Sequence, residues 1–114
     1  MTTPANKAIE IAQQLLHATM TGKVTWQEMP QDDRFQTSFT DVSAIISESE
    51  DGRCALYILN NKGRVICELA PPSMATESFA ILKALYTVAR RQALRVDETL
   101  DKLLNDLSSN DTPK

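Results

Sequence analysis

Residues 75–108 contain no proline and no glycine, and their apolar and small residues return at alternating steps of three and four. Phe79, Leu82, Tyr86, Ala89, Ala93, Val96, Leu100, Leu103 and Leu107 form one seam through about four heptads. This predicts a long helix whose apolar stripe needs cover. The seam is roughly 43 Å long at about 1.5 Å per residue. A seven-residue strand reaches only about 23 Å, so a sheet of short strands cannot cover all of it. Three covers are open: the N-terminal helix alongside, a break near Arg95–Asp97 that folds the helix back, or a second chain. Asp97 suits the N-cap that a break requires.

Charge bears on the third cover. Lys83, Arg90, Arg91 and Arg95 precede Asp97, Glu98, Asp101 and Asp106, which are offset only by Lys102. An antiparallel copy brings the basic half against the acidic half. One register sets Ala93 on Val96, Ala89 on Leu100, Tyr86 on Leu103 and Leu82 on Leu107 of a second chain, with Arg90 near Asp97. The expectation is a homodimer through this helix, through a sheet face, or both; packing within one chain is the competing expectation.

Upstream, Thr3-Pro4 suits a helix start, and Ala8, Ile11, Ala12, Leu15 and Leu16 form a stripe that ends before Gly22. A helix is expected near 4–21. Lys23–Gln27 alternates like a strand, and Arg34–Phe39 is a second strand candidate; Thr40-Asp41 is a turn or a bend. Asp51-Gly52 between two β-rich runs predicts a two-residue hairpin, pairing Glu50 with Arg53, Ile46 with Tyr57 and Ala44 with Leu59. Asn60–Gly63 predicts a type I turn closed by a left-handed glycine, with Leu59 opposite Val65 and Tyr57 opposite Cys67. On these registers Val42, Ala44, Ile46, Ala55, Tyr57, Leu59, Val65, Cys67 and Leu69 share a buried face. The other face is mixed and carries Ile45, Leu56, Ile58 and Ile66 at its centre. Pro71-Pro72 ends the sheet.

At 114 residues the chain has the length of one domain. With 42% hydrophobic and 24% charged residues it is globular rather than disordered. Residues 1–108 are expected to form the domain, and 109–114 a flexible polar tail. Twelve basic against fifteen acidic residues, a net charge of −3, disfavour a generic polyanion binder. No apolar run approaches the roughly 18 residues that span a bilayer. The N-terminus lacks the pattern of a signal peptide, so Asn110-Asp111-Thr112 reads as a chance glycosylation sequon. A cytoplasmic protein without a membrane segment is expected.

Chemistry leaves few marks. Two cysteines and one histidine are too few for a Cys/His zinc site or a disulfide framework. On the registers above, Cys54 and Cys67 point to opposite faces and cannot bridge. His17 has no ligand-type partner one turn away and reads as a surface residue. Glu48, Glu50 and Asp51 crowd one turn, and Asp32 and Asp33 another; at turns such groups read as solvating charge. Trp26, Phe35 and Phe39 lack a basic strand surface around them and read as core rather than as a base-stacking platform. No catalytic, cofactor or metal site is expected.

Gly22-Lys23-Val24-Thr25-Trp26, the Asn-rich hairpin and the run Leu85–Asp97 are similar to a loose group of small uncharacterised bacterial proteins of helix–strands–helix layout. The resemblance covers most of the chain and implies a fold without an activity. The consecutive strands set the chain apart from secretion-chaperone-like proteins, in which a helix interrupts the sheet.

The expected fold is α+β: an N-terminal helix, an antiparallel meander of four or five strands and a long C-terminal helix. The expected function is non-enzymatic protein–protein interaction, as regulator, adaptor or inhibitor, including self-association. The expected contact residues are Arg90, Val96, Asp97, Leu100, Leu103 and Leu107, with Leu56, Ile58 and Ile66 on the second sheet face. Two alternatives are an immunity- or antitoxin-type inhibitor with acidic turns, and a nucleic-acid binder using the Arg90–Arg95 cluster.

Overall fold

The computed structural model describes residues 4–31, 33–73 and 75–110. Thr3 as helix cap, Asp32 and residues 111–114 of the expected tail, with the sequon's Asp111 and Thr112, lie outside the described residues. The element order is α1 (Pro4–Met20), β1 (Gln27–Glu28), β2 (Arg34–Ser38), β3 (Val42–Glu48), β4 (Cys54–Asn60), β5 (Val65–Leu69), α2 (Glu77–Ala93) and α3 (Val96–Asn110). The strands form one antiparallel sheet in chain order, β1-β2-β3-β4-β5. This is the expected α+β class. The one change of outline is that the long C-terminal helix is two helices.

α1 and α2 pack on one face of the sheet. Ala12 and Leu15 of α1 and Leu82, Leu85, Tyr86 and Ala89 of α2 enclose Phe35, Ala44, Ile46, Cys54 and Leu56. Their spacing of three and four on the helices, and of two along β3 and β4, is what joins a helical stripe to a pleated face. Tyr86 stacks obliquely on Phe35, with ring centroids 5.7 Å apart.

The sheet faces differ from the expected ones by one residue. Ala44 faces Ile58, Ile46 faces Leu56 and Glu48 faces Cys54. The cause is the β3–β4 turn. Ser49 and Arg53 close it, with the Ser49 amide donating to the Arg53 carbonyl at 2.8 Å and the Gly52 amide to the Ser49 carbonyl at 2.9 Å. Gly52 takes φ +86°, so the loop is three residues, Glu50 to Gly52, ending in a left-handed glycine, rather than two. Asp51 holds this form by accepting from the Arg53 amide at 3.2 Å. The expected turn at Asn60–Gly63 forms as read, with the Gly63 amide donating to Asn60 at 3.0 Å. Leu59 faces Val65, but an irregularity at Ile58/Leu59 then sets Ile58, not Tyr57, against Cys67.

A one-residue slip exchanges faces. Leu56, Ile58, Cys54, Cys67 and Leu69 therefore share the inner face with Ala44 and Ile46. Tyr57, Leu59 and Ala55 join Ile45 and Ser43 on the outer face, where Ile45 is nevertheless buried. Cys54 and Cys67 lie on the same face rather than on opposite ones. They still form no bridge, since Cys54 stands opposite Glu48 and Cys67 opposite Ile58, well apart along the strands.

Lys23–Gln27 is not a strand over its length; only Gln27 and Glu28 pair, with Gln36 and Phe35. Its alternation is real, because Val24 and Trp26 are buried and Lys23, Thr25 and Gln27 exposed. A side chain supplies the missing ladder. Gln92 of α2 accepts from the Trp26 amide at 2.7 Å and donates to the Val24 carbonyl at 2.7 Å. The Trp26 indole N–H donates to the Thr19 hydroxyl at 2.8 Å, and that hydroxyl donates to the Leu15 carbonyl at 2.6 Å. Among the described residues no buried side-chain nitrogen or oxygen lacks a partner, which is what a stable interior requires.

Candidate protein-interaction site

The seam breaks where Asp97 had suggested, but the chain does not fold back there. Thr76 caps α2 by accepting from the Phe79 amide at 3.2 Å. At the other end the Leu94 amide donates to the Arg90 carbonyl at 3.0 Å, and the Arg95 amide to Gln92 at 3.1 Å. Arg95 is left-handed, with φ +52°, a conformation that costs a side-chain-bearing residue about 1 kcal/mol or more. Arg91 pairs with Asp97, and Arg95 with Glu98 at 3.9 Å, so charge braces the joint. α3 starts at Val96, one residue before the expected cap, and continues through Ser109 and Asn110, which the sequence had assigned to the tail.

From Asp97 onward every described α3 side chain is exposed. Leu100, Leu103, Leu104 and Leu107 are 47%, 51%, 61% and 51% exposed, on a helix whose opposite face is charged. They lie three, four and seven residues apart, along one stripe. The molecule measures 69 × 34 × 26 Å, the long axis reflecting this projection.

Two parts of the expected site are corrected. The antiparallel register used Leu82, Tyr86 and Ala89 as contacts, yet all three are buried in the chain's own core. The second-face group divides as well: Leu56 is fully buried under the helices, Ile58 is half-buried on the same inner face, and Ile66 is 59% exposed. The β3–β4 turn brings Leu56 and Ile58 to the inner face, and the irregularity at Ile58/Leu59 keeps Ile66 from following them. Arg90 is exposed and Val96 half-buried at the joint, while Asp97 is engaged by Arg91 of its own chain.

The chemistry-bearing groups are held by structural partners. Glu48 pairs with Lys83 of α2, and this contact holds the Lys83 ammonium above its ordinary range. Burial, then Glu48, pushes the Cys54 thiol up to about 11. Burial, then Asp33, pushes the Tyr86 phenol up to about 12, and its hydroxyl donates to Asp33 at 3.2 Å. Both groups are therefore protonated at neutral pH, which does not suit a nucleophile. Asp51 is lowered, first by the Ser49 hydroxyl and then by the Arg53 amide. His17 is exposed on α1, as expected. Trp26 and Phe35 are core, but Phe39 is 47% exposed at the rim of an apolar cleft between α1 and the sheet. Among the described residues no cluster of three or more His, Cys, Asp or Glu is placed to hold a metal ion, and no helix is long and apolar enough to cross a membrane.

Sequence reasoning had no sign of Gln92, Thr19 or Asp33 as anchoring residues, because each works across the fold or through a single hydroxyl. Leu104 was also absent from the expected stripe; its i+4 relation to Leu100 was the available signal. No protein-family model matches the chain, and no curated protein or solved structure matches it either.

Proposed function

We propose that this chain is a non-enzymatic protein–protein interaction module with α3 as its contact element. The observation that carries the reading is the leucine stripe of α3: four leucines, each about half exposed or more, on a helix whose described side chains are all exposed from Asp97 onward. An uncovered apolar helical face of this kind suits a helix-in-groove contact. Arg91 and Arg95 are paired with α3 carboxylates, which weakens the nucleic-acid alternative. Unpaired thiols at Cys54 and Cys67 suit a cytoplasmic setting.

Hydrogen exchange of the purified protein, with and without host lysate fractions, tests the reading. The α3 amides are expected to gain protection in a fraction that contains a binding protein or in concentrated protein alone. The Leu103→Glu/Leu107→Glu variant is expected to lose that protection while the α1–β–α2 body exchanges as before. Protection at α3 that is equal in both proteins would overturn the assignment.

A further inference from the structure

We infer that the partner of α3 is a second copy of this chain, and that its leucine stripe seats in the groove between α1 and α2 of that copy. The inference rests on the reading of α3 as the contact element and adds the receptor. The groove has a volume of about 650 Å³ and is walled by Leu16, Met20, Phe79, Ala80, Ala84 and Val88. Met20 is among the most exposed apolar side chains of the body. From Phe79 to Val88 the groove runs roughly 14 Å, and the stripe from Leu100 to Leu107 about 10 Å, both at helical rise.

Charge selects this groove over the other apolar cleft. With Asp97 and Glu98 engaged by Arg91 and Arg95 at the joint, α3 presents Asp101 and Asp106 against Lys102, two acids to one base. With Arg91 engaged by Asp97, α2 presents Arg90 and Lys83 against Glu77; Lys83 lines the groove itself and shares its charge with Glu48. Among the described residues, Glu10 is the one charged group lining the cleft between α1 and the sheet, and it would repel α3. The same acidic balance disfavours α3 packing on α3 of another copy.

Placement supplies the second argument. Met20 and Val88 line both the groove and the adjoining cleft that reaches Arg95, Asp97 and Glu98. The joint from which α3 departs is thus at the groove's own end. A two-fold axis beside the joints lets each α3 enter the other copy's groove from that end, running antiparallel to α2 of the partner subunit. Leu100 then meets the region of Val88 of the partner subunit, and Leu107 that of Phe79 of the partner subunit. Asp106 comes to the side of Lys83 of the partner subunit. The contact is isologous and closes as a dimer.

Light scattering of the full chain at micromolar concentration, with its variants, tests this. Wild type is expected at twice the 12.7 kDa chain mass. Leu103→Glu/Leu107→Glu on the donor side and Ala84→Glu on the receptor side are each expected to raise the dimer dissociation constant roughly tenfold or more. Ala80→Glu serves as a second receptor variant. Circular dichroism and Trp26 fluorescence are expected to stay unchanged, since all four positions are exposed. Mixing the donor and receptor variants leaves one intact helix facing one intact groove, and a heterodimer is expected to reappear. A monomeric wild type overturns the inference, as does a dimer that survives Ala84→Glu and Ala80→Glu. A monomer that captures a different protein through α3 overturns the second-copy inference alone and leaves the interaction reading standing. A monomer whose α3 never gains protection from exchange defeats both.

Discussion

The Gln92 side chain clips Trp26, 66 residues away in sequence, to the end of α2: its amide oxygen accepts from the Trp26 amide and its amide nitrogen donates to the Val24 carbonyl. One side chain thereby replaces the strand ladder that Lys23–Trp26 lacks, and it fixes the crossing from α1 into the sheet. Gln92→Ala leaves both backbone groups part-buried without a partner. A loss of about 2–4 kcal/mol is expected in urea unfolding followed by Trp26 fluorescence. Gln92→Glu keeps the acceptor and loses the donor, so an intermediate loss is expected. Equal stability of wild type and Gln92→Ala would show that water replaces the clip without cost.

The register of β4 gives Leu56 and Ile66 opposite fates. Leu56→Ala is expected to cost about 2–5 kcal/mol by opening a cavity beneath α2. Ile66→Ala is expected to cost under about 1 kcal/mol, because Ile66 is already largely in water. Thermal and chemical denaturation of the two variants measures the difference. Similar losses would favour the alternative register, in which the two residues share a face.

The two β-hairpin glycines, Gly52 and Gly63, hold φ of +86° and +78°. Gly63→Ala meets nothing within 4 Å of the added carbon, so its cost isolates the backbone strain. About 1 kcal/mol is expected for Gly63→Ala and a similar loss for Gly52→Ala. Gly52→Asn is expected to recover part of it, since Asn tolerates the left-handed region. A neutral Gly63→Ala would mean that the turn relaxes into another form.

Alkaline stability follows from Cys54 and Tyr86. Each is an acid whose folded-state value, about 11 and about 12, stands above its ordinary 9.0 and 10.0. Above pH 9 the unfolded chain releases the Cys54 proton first, and above pH 10 the Tyr86 proton, while the folded chain retains both. Stability is therefore full below pH 9 and falls as pH rises through 9–11 for Cys54 and 10–12 for Tyr86. Each contribution is of order 2 kcal/mol. Denaturant midpoints across this range are expected to fall more steeply for wild type than for Tyr86→Phe above pH 10. Parallel profiles would remove Tyr86 as the source.

Local pattern carried much of the fold. The stripe Ala8, Ala12, Leu15, the stop at Pro71-Pro72, the turn at Asn60–Gly63 and the burial of Val24 and Trp26 were all legible, because each depends on side-chain period or turn chemistry within a few residues. The exposed stripe Leu100, Leu103 and Leu107 was legible for the same reason. The β3–β4 register was not. Asp51-Gly52 accommodates a two-residue or a three-residue loop, and the two differ locally by little. The choice rests on turning Leu56 and Ile58 with Ile46 toward the face that α1 and α2 cover, a gain that exists only once the helices are in place.

The sequence by itself determined that this protein is an α+β chain with more apolar helix than its sheet can cover, since hydrophobic period and length are properties of the chain alone. The tertiary structure decided which half of that helix is covered. Leu82, Leu85, Tyr86 and Ala89 found Phe35, Ala44, Ile46 and Leu56. The left-handed Arg95 then turned Leu100, Leu103, Leu104 and Leu107 away from any surface of their own chain. That division is set by packing between residues distant in sequence, where burial outweighs the strain of about 1 kcal/mol at one backbone position.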